Sequence, residues 1–281
     1  MRSRFAPSPT GYLHLGHVLA AREASDFAKA HGGACHLRIE DTDHTRCKAE
    51  YTQAILDDLA WLGLNYSCEI RIQSAHYPDY ARVVVDLIER GLAYPCALTR
   101  AQMRAGAKPS FDAAAQFGSN WRDMTAQTVT QAAQRAKPSL PFAVRLDLAK
   151  ALAALSPSAL IFEDTGALHT GKHDAAAALS GKLDPIIARK DIGCSYMIAG
   201  PHDDALGGMT HIVRGADLFD ETPLQILLQA LMDWPRPLYH HHGLVMGDDG
   251  RKLSKRSFAK SIASLRESGV SAEEVLAQIV V

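Results

Sequence analysis

The sequence predicts an α/β fold built on a parallel sheet, and three observations support this fold class. Short apolar stretches that favour strands alternate with longer stretches that favour helices. The longer stretches carry apolar residues at helical spacing, as Ile55, Leu59 and Leu62 do. Glycines and prolines separate the two kinds of segment. This alternation is typical of parallel strands that are joined by right-handed crossovers.

The N-terminal elements alternate in type along the chain. Strands are predicted at residues 2–6 and 34–40, and helices at 16–31, 48–61 and 77–90. Gly32 and Gly33 follow the first of these helices and Gly91 follows the third, in the position where glycine is the favoured C-terminal cap.

The pattern is weaker in the middle of the chain. Residues 96–140 are rich in Ala, Gln, Ser, Gly and Lys, which predicts an insertion with weak helical content outside the core. The remaining predicted elements are strands at 142–148, 185–190 and 210–214, a helix at 222–232, strands at 244–246 and 251–253 around a hairpin turn at 247–250, and helices at 257–268 and 271–279.

Composition and charge restrict the class of protein. The chain has 281 residues, of which 47% are hydrophobic and 22% charged, with a net charge of −1. These values are typical of a globular protein with a substantial core. No secretory signal, membrane-spanning run or coiled coil is evident, so we expect a cytoplasmic monomer without membrane contact. Five scattered cysteines favour buried thiols over disulfides, and a nucleic-acid partner would need local basic patches.

A pair of histidines stands where the first loop gives way to a helix. His14 and His17 flank Gly16 at a helix start, where backbone N–H groups and the helix dipole suit anions. Gly16 lets a phosphate or a flat base approach the backbone, and both histidines can donate to one phosphate. Fixed donors of this kind serve phosphoryl or adenylyl transfer. Taken alone, the pair is also compatible with two surface histidines in a turn.

A short basic run, KLSKR at residues 252–256, follows the predicted hairpin. Alone, it is compatible with a solvated loop. Together with the segment RFAPSPTGYLHLGH, it resembles the KMSKS and HIGH signatures of the class I glutamyl- and glutaminyl-tRNA synthetases, with Leu in place of Met and Arg in place of the final Ser. The resemblance covers nearly the whole chain and is weakest at residues 97–140.

The resemblance implies a Rossmann-type catalytic domain that uses ATP and Mg²⁺ to form an aminoacyl-adenylate. It divides the chain into two parts of the catalytic domain at 1–95 and 141–235, an inserted acceptor-like subdomain at 96–140, and the KLSKR loop with C-terminal helices at 236–281. The implied catalytic residues are His14, His17 and Lys255, and the implied ATP-binding residues are His14, Gly16, His17, Lys252, Ser254 and Lys255. Lys255 would stabilise the pyrophosphate leaving group, a task that suits a point charge on a flexible stem.

Carboxylates follow the second predicted strand in the segment RIEDTD at residues 38–43. The carboxyl ends of parallel strands form the ligand-binding edge of such sheets. A charged loop, or a cap for the next helix, is the alternative. The resemblance implies that Glu40 meets the ammonium group of the substrate, and the full glutamate-binding set that it implies is Arg4, Ala6, Ser8, Glu40, Tyr196 and Arg214. Guanidinium groups suit an acidic substrate because they hold a carboxylate with two parallel hydrogen bonds.

Two features favour a shorter paralogous family, the glutamyl-Q tRNA(Asp) synthetases. The chain stops soon after Lys255, so the anticodon-binding domain is expected to be absent, and RGADL at 214–218 resembles that family. The implied activity is activation of L-glutamate without tRNA, then transfer to the queuosine base at the wobble position of tRNA(Asp). The alternatives are a truncated glutamyl-tRNA synthetase that charges the tRNA 3′ end, a non-catalytic RNA-binding relic, and a nucleotidyltransferase that shares only the HxGH element.

Three positions depart from the family pattern or have no assignment. The paralogues commonly carry a zinc site, but here only Cys96 of the usual ligands remains and Leu98 replaces the next. One thiolate cannot make a tetrahedral zinc site, so we predict a zinc-free protein with apolar packing in its place and no metal ligands. Gly200 stands where the full-length enzymes tend to carry Asn, which predicts a looser amino-acid pocket. The run at residues 240–242 is three histidines, whose alternating direction on a strand argues against a shared metal.

Overall fold

The computed structural model describes residues 1–66, 69–98, 101–102, 113–245 and 260–279. Its strands are β1 (Arg2–Phe5), β2 (Ala34–Ile39), β3 (Arg71–Ile72), β4 (Ala93–Cys96), β5 (Ala143–Leu146), β6 (Ile161–Asp164), β7 (Gly171–Asp174), β8 (Ile186–Ala188), β9 (His211–Gly215) and β10 (Leu238–His242). Its helices are α1 (Leu15–Ala30), α2 (Ala49–Trp61), α3 (Tyr77–Glu89), α4 (Ala113–Phe117), α5 (Trp121–Ala133), α6 (Leu148–Ala153), α7 (Ala175–Leu179), α8 (Tyr196–Leu206), α9 (Thr222–Leu231), α10 (Ile262–Glu267) and α11 (Ala272–Ala277). The predicted hairpin at 247–250 and the KLSKR run fall outside the described residues.

Two sheets with parallel strands meet in the middle of the molecule. One has the order β1-β2-β3, and the other has the order β7-β6-β10-β9, in which only β7 is antiparallel to its neighbour. They adjoin where β1 lies beside β9, and Thr210 N donates to Arg2 O over 3.0 Å. From the junction of β1 and β9, the strand order continues through β2 and β3 on one side and through β10, β6 and β7 on the other. Such a switch in strand order is the place where ligands bind in open α/β sheets. The predicted α/β fold with parallel strands is confirmed.

The described residues of the segment at 96–140 contain more regular structure than the sequence indicates. It contributes α4 and α5, and the antiparallel sheet β4-β5-β8 lies beside them. The prediction that this segment lies outside the core is wrong, because Val129, Ala132 and Ala133 of α5 belong to the main hydrophobic core and α5 packs on α3. The buried face of α5 consists mostly of small side chains, so its periodicity hardly shows in the hydrophobicity of the sequence.

The C-terminal part differs from the prediction in one strand. The strand is β10, at Leu238–His242, whereas Leu244 and Val245 of the predicted strand at 244–246 are not in a strand. The three histidines of β10 mask its strand character, although two of them are buried. Other short elements escape the sequence pattern altogether: β3, β4, β6, β7, α6 and α7. No helix in the described part of the chain is long and apolar enough to cross a bilayer.

A buried carboxylate of α2 faces an arginine of α10. Asp58 of α2 is fully buried, and Arg266 Nη1 lies 3.4 Å from its Oδ1. Neither carboxylate oxygen has a hydrogen-bond partner among the described residues. Burial raises the pKa of Asp58 to about 6, although Arg266 opposes the shift. The ionised form is therefore poorly compensated.

Asp58→Asn is expected to stabilise the protein at pH 7.5 and much less at pH 4.5. Because the folded-state pKa is above the ordinary carboxyl value, ionisation of Asp58 costs stability as the pH rises from about 4 to about 6. Thermal unfolding of variant and wild type at both pH values measures the difference in stability. A stabilisation of about 1 kcal/mol would raise Tm by about 2–4 °C. A lower Tm for the variant at pH 7.5 would show that the attraction of Arg266 outweighs the desolvation of the charge.

Candidate active site

A cleft of about 600 Å³ opens at the carboxyl ends of the parallel strands, where β1 adjoins β9. Each predicted site residue that the structure describes lines this cleft: Arg4, Ala6, Ser8, His14, Gly16, His17, Glu40, Tyr196 and Arg214. The other three predicted residues, Lys252, Ser254 and Lys255, lie outside the described residues. The topology thus brings together residues that are up to about two hundred positions apart in the chain.

The two histidines cap the first turn of α1 in a reciprocal arrangement. His14 Nδ1 accepts from Gly16 N over 3.1 Å, and His17 Nδ1 accepts from His14 N over 3.2 Å. The two rings lie 3.9 Å apart between centroids. Because Nδ1 is an acceptor in both, each ring carries its proton on Nε2, the nitrogen that can donate to a phosphate oxygen. The first-turn N–H of Gly16 donates to His14 Nδ1, so it is one of the helix-start N–H groups that the protein itself already uses.

A network of four buried charges lies at the floor of the cleft. Asp204 Oδ1 accepts from Arg4 Nε over 2.9 Å and from Arg38 Nη1 over 2.6 Å, while Arg38 Nη2 donates to Glu40 Oε1 over 2.8 Å. A second nitrogen of Arg4, Nη1, reaches Val213 O at 3.4 Å. Two arginines and two carboxylates balance formally, which is what allows such groups to be buried. Part of the Arg4 guanidinium is therefore already engaged by the protein.

The environment shifts the pKa values of this network in different directions. Burial raises the pKa of Glu40, and the neighbouring Arg38 only partly offsets it. Burial acts in the same sense on Asp204, but there Arg38 and Arg4 outweigh it, so the pKa of Asp204 lies below its ordinary value. Asp204 is thus the firmly ionised partner of the two arginines. Arg38 lies in the segment RIEDTD, but neither Arg38 nor Asp204 is among the residues predicted from the sequence.

Arg214 differs from the other two arginines because its partners are neutral. Nε lies 3.0 Å from His241 Nε2, Nη2 donates to Thr222 Oγ1 over 2.7 Å, and Nη1 donates to Gln225 Oε1 over 2.9 Å and to Tyr196 Oη over 3.3 Å. No acidic side chain of the described residues forms an ion pair with it, yet it is 5% exposed. A buried cation without an acidic partner favours an anion from the cleft.

The ring of Tyr196 occupies the space beside Gly200, where the sequence predicts a looser amino-acid pocket. A Cβ atom added to Gly200 would come 3.2 Å from Tyr196 Cε2, so the glycine allows the ring to lie against the helix backbone. The expected loosening of the pocket is therefore not seen at this point. Burial raises the pKa of Tyr196, so its hydroxyl is neutral and lies beside Arg214.

The region of the expected zinc loss contains a small apolar cluster. Buried Tyr94, Cys96 and Ala113 pack with the partly buried Phe117 and Trp121. No group of three or more His, Cys, Asp or Glu side chains in the described ranges could hold a metal ion. The packing agrees with apolar contacts in place of a metal, and the absence of zinc stays a prediction.

Chelation is expected to leave the stability of the purified chain unchanged. A structural zinc site would contribute folding free energy that chelation removes, and we predict that the chain has no such site. The measurement is Tm with and without EDTA, together with elemental analysis. About one zinc per chain, or a Tm that falls on chelation, would contradict the prediction.

Comparison with known proteins decides the family. A family model for the catalytic domain of class I tRNA synthetases (E and Q) matches residues 1–281. The chain belongs to this family. The chain is an enzyme of the ligase class, and the predicted fold class and family are confirmed.

Two curated relatives and one solved structure are similar to the chain. It is 37% identical over 283 residues to a glutamyl-Q tRNA(Asp) synthetase of Rhodobacter capsulatus, covering 98% of each chain. It is 35% identical over 288 residues to a glutamate–tRNA ligase of Legionella pneumophila, covering 100% of this chain and 56% of that one. The crystal structure of a glutamate tRNA ligase from Elizabethkingia meningosepticum shares the fold, with a TM-score of 0.69 and 24% identity over 96% of this chain and 53% of that one. The chain therefore spans about half the length of the ligases that it matches.

Proposed function

We propose that the chain activates L-glutamate with ATP to form glutamyl-adenylate and then transfers the glutamyl group to the queuosine base of tRNA(Asp). The observation that carries the first step is Arg214, a buried guanidinium with neutral partners, in the same cleft as His14 and His17. A cation for a substrate carboxylate and donors for a phosphate are the two requirements of amino-acid activation, and the cleft supplies both.

The amino acid would lie between β1, β2, α8 and β9. Arg214 would bind the side-chain carboxylate, with the remaining donors of Arg4 nearby, and Glu40 would receive the ammonium group. Tyr196 would pack against the substrate while its hydroxyl accepts from Arg214. Ala6 and Ser8 border the same space from the loop after β1. Rigid strands and buried side chains fix these positions before the substrate arrives, which lowers the entropic cost of binding.

ATP would lie against the first turn of α1. Gly16 removes a side chain there, and the Nε2–H groups of His14 and His17 suit phosphate oxygens, so the residues present fit a triphosphate. In the reaction an oxygen of the glutamate α-carboxylate attacks the α-phosphorus, and the bond to pyrophosphate breaks. Lys255, with Lys252 and Ser254, would stabilise the leaving pyrophosphate. Mg²⁺ bound to ATP would neutralise phosphate charge.

The acceptor is proposed from the relative in Rhodobacter capsulatus, which matches this chain over 98% of both lengths and is named for tRNA(Asp). In this second step a hydroxyl of queuosine attacks the adenylate carbonyl and AMP leaves. No described residue is assigned as the base. Charging of the tRNA 3′ end is the alternative, and it is supported by the 35% identity to a glutamate–tRNA ligase.

Two substrates separate these acceptors. A queuosine-containing anticodon stem-loop of tRNA(Asp), which has no 3′ acceptor end, is expected to become labelled with radioactive glutamate. Transcript tRNA(Asp) and tRNA(Glu) without queuosine are expected to stay unlabelled. Labelling that requires the terminal adenosine and ignores queuosine would replace the proposed acceptor with the tRNA 3′ end.

A further inference from the structure

His241, the middle histidine of the run in β10, links a buried carboxylate to the candidate substrate arginine. It is fully buried, as is Asp164 at the end of β6. His241 Nδ1 contacts Asp164 Oδ2, and His241 Nε2 lies 3.0 Å from Arg214 Nε. The chain of contacts Asp164–His241–Arg214 thus runs from β6 through β10 to β9.

The chemistry of the arginine defines the tautomer of His241. A guanidinium only donates, so Nε2 must present its lone pair to Arg214, and the ring proton must lie on Nδ1 and point to Asp164. Burial, followed by the positive charge of Arg214, lowers the pKa of His241 to about 4, so the ring is neutral at pH 7. Geometry and charge lead to the same protonation state.

Asp164 is itself held in one orientation. Its Oδ1 accepts from Gly166 N over 2.7 Å and from His241 N at 3.3 Å, which leaves Oδ2 for the imidazole. A Cβ atom at Gly166 would lie 2.1 Å from His241 O, so the close approach of the two backbones requires glycine. The carboxylate therefore cannot rotate without losing these backbone contacts.

The insertion of a neutral ring has an electrostatic consequence. A carboxylate in direct contact with Arg214 would neutralise the guanidinium and compete with a substrate anion. Here the negative charge of Asp164 lies one imidazole ring away, while Thr222, Gln225 and Tyr196 are neutral acceptors. Among the described residues, these contacts and the one to His241 use four of the five N–H groups of Arg214 and leave one on Nη2 for a substrate oxygen. The guanidinium plane is fixed, and its positive charge faces the cleft, where Glu221 interacts with it electrostatically without forming an ion pair.

We propose that Asp164 and His241 are positioning residues that orient Arg214 to select a carboxylate side chain over the corresponding amide. This inference rests on the proposed function, because it assumes that Arg214 binds the side chain of the substrate. It assigns a role to the histidine run that the sequence analysis leaves without one. It also places the discrimination between glutamate and glutamine partly outside the cleft.

Asp164→Asn tests the tautomer directly. Oδ1 must still accept from Gly166 N, so the new NH₂ group faces His241 Nδ1 and drives the proton to Nε2, where it opposes the N–H of Arg214. Calorimetry is expected to show glutamate binding that is weakened about tenfold or more, with glutamine binding changed far less. ATP–pyrophosphate exchange is expected to show the loss mainly in the KM for glutamate.

Two substitutions at His241 separate positioning from folding. The amide oxygen of His241→Gln can replace Nε2 as the acceptor, so glutamate binding is expected to be largely retained, whereas His241→Leu is expected to lose it. His240→Ala, on the same strand and on the opposite face, is the matched control and is expected to leave binding unchanged. Nitrogen NMR of labelled histidine is expected to show an unprotonated Nε2 in the wild type and a protonated Nε2 in Asp164→Asn.

The outcomes distinguish this inference from the proposed function. Unchanged glutamate affinity in Asp164→Asn, or a wild-type ring protonated at Nε2, would overturn the positioning role. If wild-type protein binds glutamate and Asp164→Asn weakens that binding, but no glutamate-dependent exchange is seen, the proposed function alone would be overturned. Wild-type protein that binds no glutamate would overturn both.

Discussion

Arg214→Gln is expected to reduce kcat/KM for glutamate activation by about 30- to 5,000-fold, which corresponds to about 2–5 kcal/mol for loss of one partner of a buried charge pair. The substitution removes a buried cation of the cleft whose hydrogen-bond partners are neutral, and it removes the guanidinium donor to His241 Nε2, which then keeps only the Thr222 hydroxyl at 3.4 Å. Steady-state ATP–pyrophosphate exchange over a range of glutamate concentrations measures the effect, and the loss is expected to appear mainly in KM.

Arg214→Lys and a distant arginine provide the comparisons. Lysine keeps the charge but lacks the planar fork that contacts His241, Gln225 and Thr222 together, so an intermediate loss is expected. Arg82→Gln is the matched control, since this side chain is 76% exposed on α3 and pairs only with a neighbour on its own helix. If Arg214→Gln retained normal kcat/KM for glutamate, the assignment of Arg214 to the substrate carboxylate would be wrong.

Asp204→Asn is expected to destabilise the fold by about 3–5 kcal/mol, the usual cost of removing one partner from a buried charge cluster. Its Oδ1 is the common acceptor of Arg4 and Arg38, and the substitution would leave two buried guanidinium groups facing one remaining carboxylate. Urea-induced unfolding at pH 7 measures the loss. Because the folded-state pKa of Asp204 is lowered, the difference between variant and wild type should shrink as the pH falls below about 4.

An exposed ion pair serves as the control for this stability effect. Asp26 pairs with Arg22 one helical turn away, and both side chains are about half exposed. Asp26→Asn is expected to change stability by less than about 1 kcal/mol. A similar small change for Asp204→Asn would mean that the buried network contributes little and that Arg4 and Arg38 find other partners.

Much of the fold could be predicted because strand-like and helix-like spacing of apolar residues alternates clearly in the first half of the chain. The predicted elements from β1 to α3 agree with the structure to within a residue or two at most ends. The pattern fails where burial does not require large apolar side chains. Helix α5 uses Ala132 and Ala133 at its interface, and β10 buries His241 and His242, so neither element shows a clear apolar period.

The candidate site divides in a similar way. Residues in distinctive local motifs, such as His14, Gly16 and Glu40, can be identified from the sequence alone, and they line one cleft. Partners that depend on long-range topology cannot. Asp204 meets Arg4 across a sequence separation of 200 residues, and Asp164 meets His241 across 77. No local spacing indicates such contacts, because strand order decides which side chains meet.

Glutamate-dependent ATP–pyrophosphate exchange in the absence of tRNA tests the central claim most directly. We expect exchange that saturates with L-glutamate, is much weaker with L-glutamine, and requires Arg214, His14 and His17. Exchange that is absent at high glutamate concentration, or exchange that proceeds equally well without any amino acid, would contradict it.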